Sequence, residues 1–130
     1  MRIVSGGMGI GTGYLHEQVR PGDAVKLSGP CGRFFVRRSA RMPMLFMAGG
    51  SGLSSPRSMI LALLEEGSTL PITLVYGQRR RAELYCHEEF LALAQRHPNF
   101  SDVPALSDEP EGSGWRGVRG VHDAARALRQ

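Results

Sequence analysis

The run Met44-Leu45-Phe46-Met47-Ala48, followed at once by Gly49-Gly50-Ser51-Gly52-Leu53-Ser54-Ser55-Pro56, constrains this chain more than any other feature. An apolar run without alternation suits a strand buried on both faces, as in a parallel sheet. The glycine loop leads to Pro56, a residue favoured in the first turn of a helix, with Ser54 or Ser55 as the cap. The stripe Met59, Ile60, Leu63 and Leu64 has the helical period, and Gly67 ends it. Strand, tight loop and helix in direct succession form half of a crossover between parallel strands.

The same alternation continues downstream. Ile72-Thr73-Leu74-Val75-Tyr76 reads as a second strand. A second helix is predicted from Ala82 to Arg96, with Leu84, His87, Leu91 and Ala94 on one face and Pro98 after its end. A third strand covers Phe100 to Leu106, weakened by Pro104. The loop Ser107 to Gly114 is polar, and a last helix is expected from Val121 to Leu128. This pattern predicts an α/β fold with a partial doubly wound parallel sheet. Later strands move outward, so the first is an exposed apolar edge, which suggests that further sequence belongs beyond Gln130.

The residues before Met44 read differently. Eleven of the 17 glycines precede Leu53. Gly9-Ile10-Gly11-Thr12-Gly13 leads into a predicted helix from Tyr14 to Val19, with Thr12 as cap. Short strands are expected at Ala24–Ser28 and Phe34–Val36, separated by turns at Pro21-Gly22-Asp23 and Gly29-Pro30-Cys31-Gly32. These pieces suit the end of a small antiparallel barrel and are too few to close one. The charged joint from Arg37 to Arg41 separates the two regions, giving expected domains 1–40 and 41–130.

Composition excludes several classes. Hydrophobic residues are 42% and charged residues 22% of the 130, which rules out disordered and fibrous chains. Met42 to Pro56, the longest uncharged stretch, is too short and glycine-rich to span a membrane. No signal segment is evident, so a cytoplasmic location is expected. Cys31 and Cys86 give neither a disulfide framework nor a cluster, and His16, His87, His97 and His122 lack metal spacing. Net charge is +4, but Arg79-Arg80-Arg81 has no interleaved aromatics, so no nucleic-acid partner is expected.

The two glycine loops carry the chemistry. Glycines let backbone approach a ligand, and a helix N-terminus offers free amides and positive potential. Gly49, Gly50, Ser51, Gly52, Leu53 and Ser54 are therefore the candidates for a nucleotide pyrophosphate, and Gly9, Gly11, Thr12 and Gly13 for a second phosphate. The loop lacks the lysine of a Walker motif. The end of the second strand is where such folds hold an adenosine ribose, and Tyr76, Gln78 and Arg79 stand there without the usual acidic partner. The arginine cluster leaves room for a 2′-phosphate. No residue presents itself as catalytic.

Four stretches in this order resemble the ferredoxin–NADP reductase-like superfamily, in particular the reductase components of phenol hydroxylase-type aromatic monooxygenases. Gly9 to His16 resembles a flavin phosphate loop, and Ser28-Gly29-Pro30-Cys31-Gly32-Arg33-Phe34 resembles the turn ending the FAD barrel. Ala48 to Pro56 resembles the pyridine-nucleotide loop. Tyr76-Gly77-Gln78-Arg79, with Glu83-Leu84-Tyr85 and Glu88-Glu89-Phe90, resembles the adenosine side of that site. Ala105 to Gly117 favours the phenol hydroxylase branch.

The resemblance implies strands 3, 2 and 1 of a 3-2-1-4-5 NAD-binding sheet, preceded by the end of an FAD-binding barrel. It implies an oxidoreductase passing a hydride from NADH, or NADPH, to FAD, then electrons through a 2Fe–2S centre to a hydroxylase component. The upstream flavin motif, the iron–sulfur cysteines and the later nicotinamide-side motif are not in this sequence. The chain thus resembles an internal piece of a longer reductase. The alternatives are a non-catalytic nucleotide-binding module or an inactive fragment.

Overall fold

The computed structural model describes residues 9–29, 31–120 and 123. The chain divides into two compact units, Met1–Phe35 and Val36–Gln130. The helix expected at Val121–Leu128 lies outside the described residues, Asp123 aside.

In the first unit the regular element is α1, Ile10–Glu17. It begins earlier than the sequence predicts, with Gly9 at the cap, so Thr12 lies within the first turn and makes no capping bond. The strands expected at Ala24–Ser28 and Phe34–Val36 do not form. A strand exists only by exchanging hydrogen bonds with a neighbour, and no partner strand stands beside either among the described residues. Val25, Leu27, Phe34 and Phe35 are exposed accordingly.

The second unit is the α/β fold that the sequence predicts. Strands β1 (Met44–Gly49), β2 (Ile72–Gln78) and β3 (Phe100–Leu106) form one sheet in the order β1-β2-β3. Both pairings are parallel, with Gly49 opposite Gly77 and Gln78 opposite Leu106. Helices α2 (Ser54–Glu65) and α3 (His87–Arg96) make the crossovers. Because the strand order never reverses, right-handed crossovers put both helices on the same face. Leu53, Ile60, Leu63 and Leu64 meet Ile72, Leu74, Tyr76, Phe90, Leu93 and Phe100 in one cluster there. Burying each such side chain is worth about 1.5–3 kcal/mol. A smaller cluster, Val75 and Ala105 with Val103 and Val118, covers part of the other face.

Three expectations change. β1 alternates instead of being buried on both faces: Leu45 and Met47 are 52% and 57% exposed. It is an edge of the described sheet, and only its Met44, Phe46 and Ala48 side joins the core. The helix predicted from Ala82 is broken into a 3₁₀ turn at Arg81–Glu83 and α3, because Cys86 adopts a left-handed conformation, φ 59°. The buried face of α3 is therefore Phe90 and Leu93, and Leu91 points outward. Pro104 is tolerated within β3, an edge strand of the described sheet, since its missing N–H costs no ladder bond on the outer side.

Two ion pairs join the helices to their surroundings. Arg57 donates Nε and a terminal nitrogen to both carboxylate oxygens of Glu89, at 2.7 and 2.6 Å, fastening α2 to α3. That hydrogen bonding holds the Glu89 carboxyl below its ordinary range. Asp102 is less comfortable. Its side chain is 1% exposed, on the β3 face turned toward α3, with His87 Nδ1 at 3.3 Å and no aligned hydrogen bond to either oxygen. Burial pushes its carboxyl up to about 6, against the pull of His87.

A carboxyl whose folded value lies above its ordinary one stabilises the protein when protonated. That contribution is lost as pH rises from about 4 to about 6. Asp102→Asn keeps the shape without the charge. Urea unfolding is expected to show the variant gaining stability over the natural chain across this interval and keeping the gain above it. A pH-independent difference would contradict the buried charge.

Candidate nucleotide-binding site

Parallel pairing brings the C-terminal ends of all three strands to one edge of the sheet, where the connecting loops converge. After β1 the chain turns at Gly50, φ 50°, into a 3₁₀ turn, Gly50–Leu53, that runs directly into α2. The helical start thus lies at Gly50, and Pro56 sits buried inside the first turn of α2. Neither Ser54 nor Ser55 caps it. A 3₁₀ turn starting here engages amides from Gly52 onward, and the last β1–β2 pair, Gly49 opposite Gly77, turns the Gly50 amide toward the Gly77 carbonyl, which leaves that of Ser51 for an anion.

The glycines of β1 and β2 keep the floor thin. A Cβ on Gly49 would stand 3.6 Å from the Gly77 carbonyl, and one on Gly77 would stand 3.6 Å from the Ala48 carbonyl. Open space surrounds Gly50 and Gly52. Beside this floor lies a groove of about 320 Å³ lined by Gly50, Gly77, Gln78, Arg79, Ala105, Ser107 and Gly120, within the size range of small-molecule clefts.

The sequence candidates separate into groups. Gly50, Gln78 and Arg79 line the groove, with Gly49, Ser51 and Gly52 in or beside the turn above it. Leu53 is wholly buried and packs in the core, so it shapes the turn and cannot touch a ligand. Ser54 opens α2. Tyr76 is also wholly buried. Its hydroxyl accepts a bond from Gln78 Nε2 at 2.7 Å, so it stands behind Gln78 and fixes it. Burial pushes the Tyr76 phenol up to about 12, which keeps it neutral. Glu89, expected on the adenosine side by resemblance, is instead held by Arg57.

The loop after β3 was not legible as part of the site. The Ser107 and Asp108 amides donate to the carbonyls of Gln78 and Arg79, at 3.1 and 2.8 Å, and extend the β2–β3 ladder past the strands. Asp108 Oδ2 stands 3.1 Å from an Arg79 nitrogen and 3.6 Å from Arg80 Nε. Glu109 accepts from the Arg81 amide at 2.8 Å. The chain then returns to β3, where Leu106 donates to the Val118 carbonyl at 3.0 Å. An acidic pair two residues past a strand, facing an arginine run, was the available signal.

In the first unit, Gly9, Gly11 and Gly13 line a groove of about 530 Å³ with Ile10, Tyr14, Glu17 and Gln18. The Gly13 amide bonds to the Gly9 carbonyl at 2.9 Å, so the free helical amides are those of Ile10, Gly11 and Thr12. Among the described residues no group of three or more metal-ligating side chains gathers.

Comparison with known proteins adds the decisive observation. The oxidoreductase NAD-binding domain model matches residues 46–127. The chain belongs to that family. It is 58% identical over 98% of its length to the reductase component of phenol 2-monooxygenase from Pseudomonas sp. strain CF600. It is 49% identical over 95% of its length to a phenol hydroxylase P5 protein from Acinetobacter pittii. It spans about a third of these curated relatives, 36% and 35%. Among solved structures, the Amycolatopsis reductase GcoB matches 91% of this chain and 36% of its own, with TM-score 0.72 and 30% identity. The flavohem-like FAD/NAD-binding domain of a Vibrio cholerae nitric oxide dioxygenase matches 87% of this chain and 46% of its own, with TM-score 0.65 and 26% identity.

Two features of Gly50 make the turn suitable for a pyrophosphate. Its backbone is left-handed, and the space beside it is open. Gly50→Asp would strain the turn by about 1–2 kcal/mol and set a carboxylate against the anion. Calorimetry is expected to show NADH binding lost. Unchanged affinity would move the pyrophosphate away from this turn.

Proposed function

We propose that the chain is part of an electron-transfer oxidoreductase serving an aromatic-ring monooxygenase. The observation that carries this reading is 58% identity, over nearly the whole chain, to a phenol 2-monooxygenase reductase component. Residues 41–130 form the N-terminal part of its NAD(P)H-binding domain, and residues 1–40 the end of its FAD-binding barrel. Bound NADH and FAD would supply hydride transfer, and a 2Fe–2S domain, whose ligands this chain lacks, would carry electrons to a hydroxylase component. No nucleic acid and no membrane take part. No helix among the described residues is long and apolar enough to cross a membrane. The free thiols Cys31 and Cys86 suit a cytoplasmic setting.

The residues fit the groups they are assigned. The Ser51 amide holds the pyrophosphate, and the open space at Gly50 and Gly52 admits it. Gln78 and Arg79 hold the adenosine ribose, with Tyr76 locking the Gln78 amide in place. The free amides of Gly11 and Thr12, in a chain stretch opened by Gly9 and Gly13, hold the FAD phosphate. The bound cofactors supply the redox chemistry; the chain binds, orients and excludes water.

NADH is favoured over NADPH by Asp108. Its carboxylate already balances Arg79 and Arg80. A 2′-phosphate would have to displace or oppose that carboxylate.

Two measurements test the reading. Chain incubated with FAD and desalted is expected to keep its visible flavin absorbance, and anaerobic NADH is expected to bleach it. Loss of all flavin overturns the FAD assignment of residues 9–13 in this chain. Retained flavin that NADH leaves coloured reduces the chain to a non-catalytic nucleotide-binding module. Separately, Asp108→Ser is expected to move the NADPH-to-NADH affinity ratio toward NADPH by about tenfold, roughly one charge contact. Quenching of Trp115, the single tryptophan, can follow both titrations. An unmoved ratio removes Asp108 from coenzyme choice.

A further inference from the structure

The Tyr85 hydroxyl donates a hydrogen bond to the Gly50 carbonyl. The two residues lie far apart in sequence, and the resemblance places Tyr85 on the adenosine side. We infer that Tyr85 is a positioning residue for the phosphate-binding turn, locking the Gly50–Ser51 peptide with its N–H toward the anion. The inference rests on the nucleotide-site reading above.

A trans peptide is planar, and its C=O and N–H point in opposite directions. Fixing the Gly50 carbonyl therefore fixes the Ser51 N–H on the opposite side. That amide is the one that neither the 3₁₀ turn nor the β1–β2 ladder engages. Gly50 has no Cβ and sits at φ 50°, so nothing of its own prevents this peptide from rotating. A 3₁₀ turn holds its carbonyls with poor hydrogen-bond geometry. The Tyr85 hydroxyl adds an anchor from outside the turn.

Tyr85 is itself fixed. Its ring meets that of Tyr76 edge to face, centroids 5.6 Å apart and planes at 76°. Tyr76 is wholly buried in β2 and moves with the sheet. On the other side of Tyr85, the left-handed Cys86 turns the chain into α3. The hydroxyl is thus presented by rigid elements, which is what alignment of a free amide requires.

Tyr85→Phe keeps the ring and removes the hydroxyl. The probes are ADP and adenosine, titrated against the full chain and followed by backbone amide shifts. In the natural chain ADP is expected to shift Ser51 and Gly52. In the variant the Gly50 carbonyl carbon is expected to move in the free protein, and ADP affinity to fall roughly three- to tenfold, the span of one net hydrogen bond. Adenosine affinity is expected to stay unchanged, which a tyrosine that merely packs the adenosine side would not allow. Unchanged ADP affinity overturns the inference and leaves the nucleotide site standing. Equal losses for ADP and adenosine assign Tyr85 to packing and also overturn it. Absence of ADP shifts at Ser51 and Gly52 in the natural chain overturns the site reading, and the role of Tyr85 with it.

Discussion

Everything that the site can do depends on the parallel register of β1 and β2. Pairing Ala48 with Tyr76 and Gly49 with Gly77 ends both strands at the same level. Because the strands are parallel, each end faces the same edge, and the loops that follow cannot avoid one another. Two facing glycines leave that edge without side chains. An antiparallel pair would have sent the second loop to the far end of the sheet. The glycine turn, Gln78 and Arg79 share one groove because of a hydrogen-bond ladder, not because of any contact among themselves.

Much of this was legible in the sequence, since local rules and tertiary demands agree in the second unit. Ile72 to Tyr76 and Phe100 to Leu106 have the apolar content of strands, and helices of the right length separate them. The stripe Ile60, Leu63 and Leu64 needed only the helical period. Failures fall where a distant partner decides. The strands expected at Ala24–Ser28 and Phe34–Val36 depend on neighbours, so an alternating pattern alone could not create them. Cys86 breaks a well-formed helical pattern because the fold needs a left-handed residue there, and nothing in a cysteine announces that.

The site shows the same division. Glycine and helix-start signals identify the phosphate turn, because they describe backbone freedom that local sequence controls. Side-chain roles are settled by packing. Tyr76 and Leu53 stand in the right stretches, yet both point into the core. Asp108 comes from a loop that looked merely polar, and it meets Arg79 only because the β2–β3 ladder continues through Ser107 and Asp108. Complementary charge was visible; adjacency was not.

Those buried residues matter for recognition through what they hold. Gln78 bonds to Tyr76, Tyr76 meets Tyr85 edge to face, and Tyr85 bonds to Gly50. This chain of contacts links the side chain assigned to the ribose with the turn assigned to the pyrophosphate. Aromatic rings have few rotamers, and Tyr76 is enclosed by the core, so the spacing between the two ends is set before any ligand arrives. A flexible surface would have to be ordered at the moment of binding, at a cost of about 0.5–1.5 kcal/mol for each long side chain. Placing two tyrosines behind the groove removes part of that cost from the binding step. It also explains why a wholly buried, polar-tipped residue stands near the end of β2 at Tyr76, where a leucine would fill the core but could not fix Gln78.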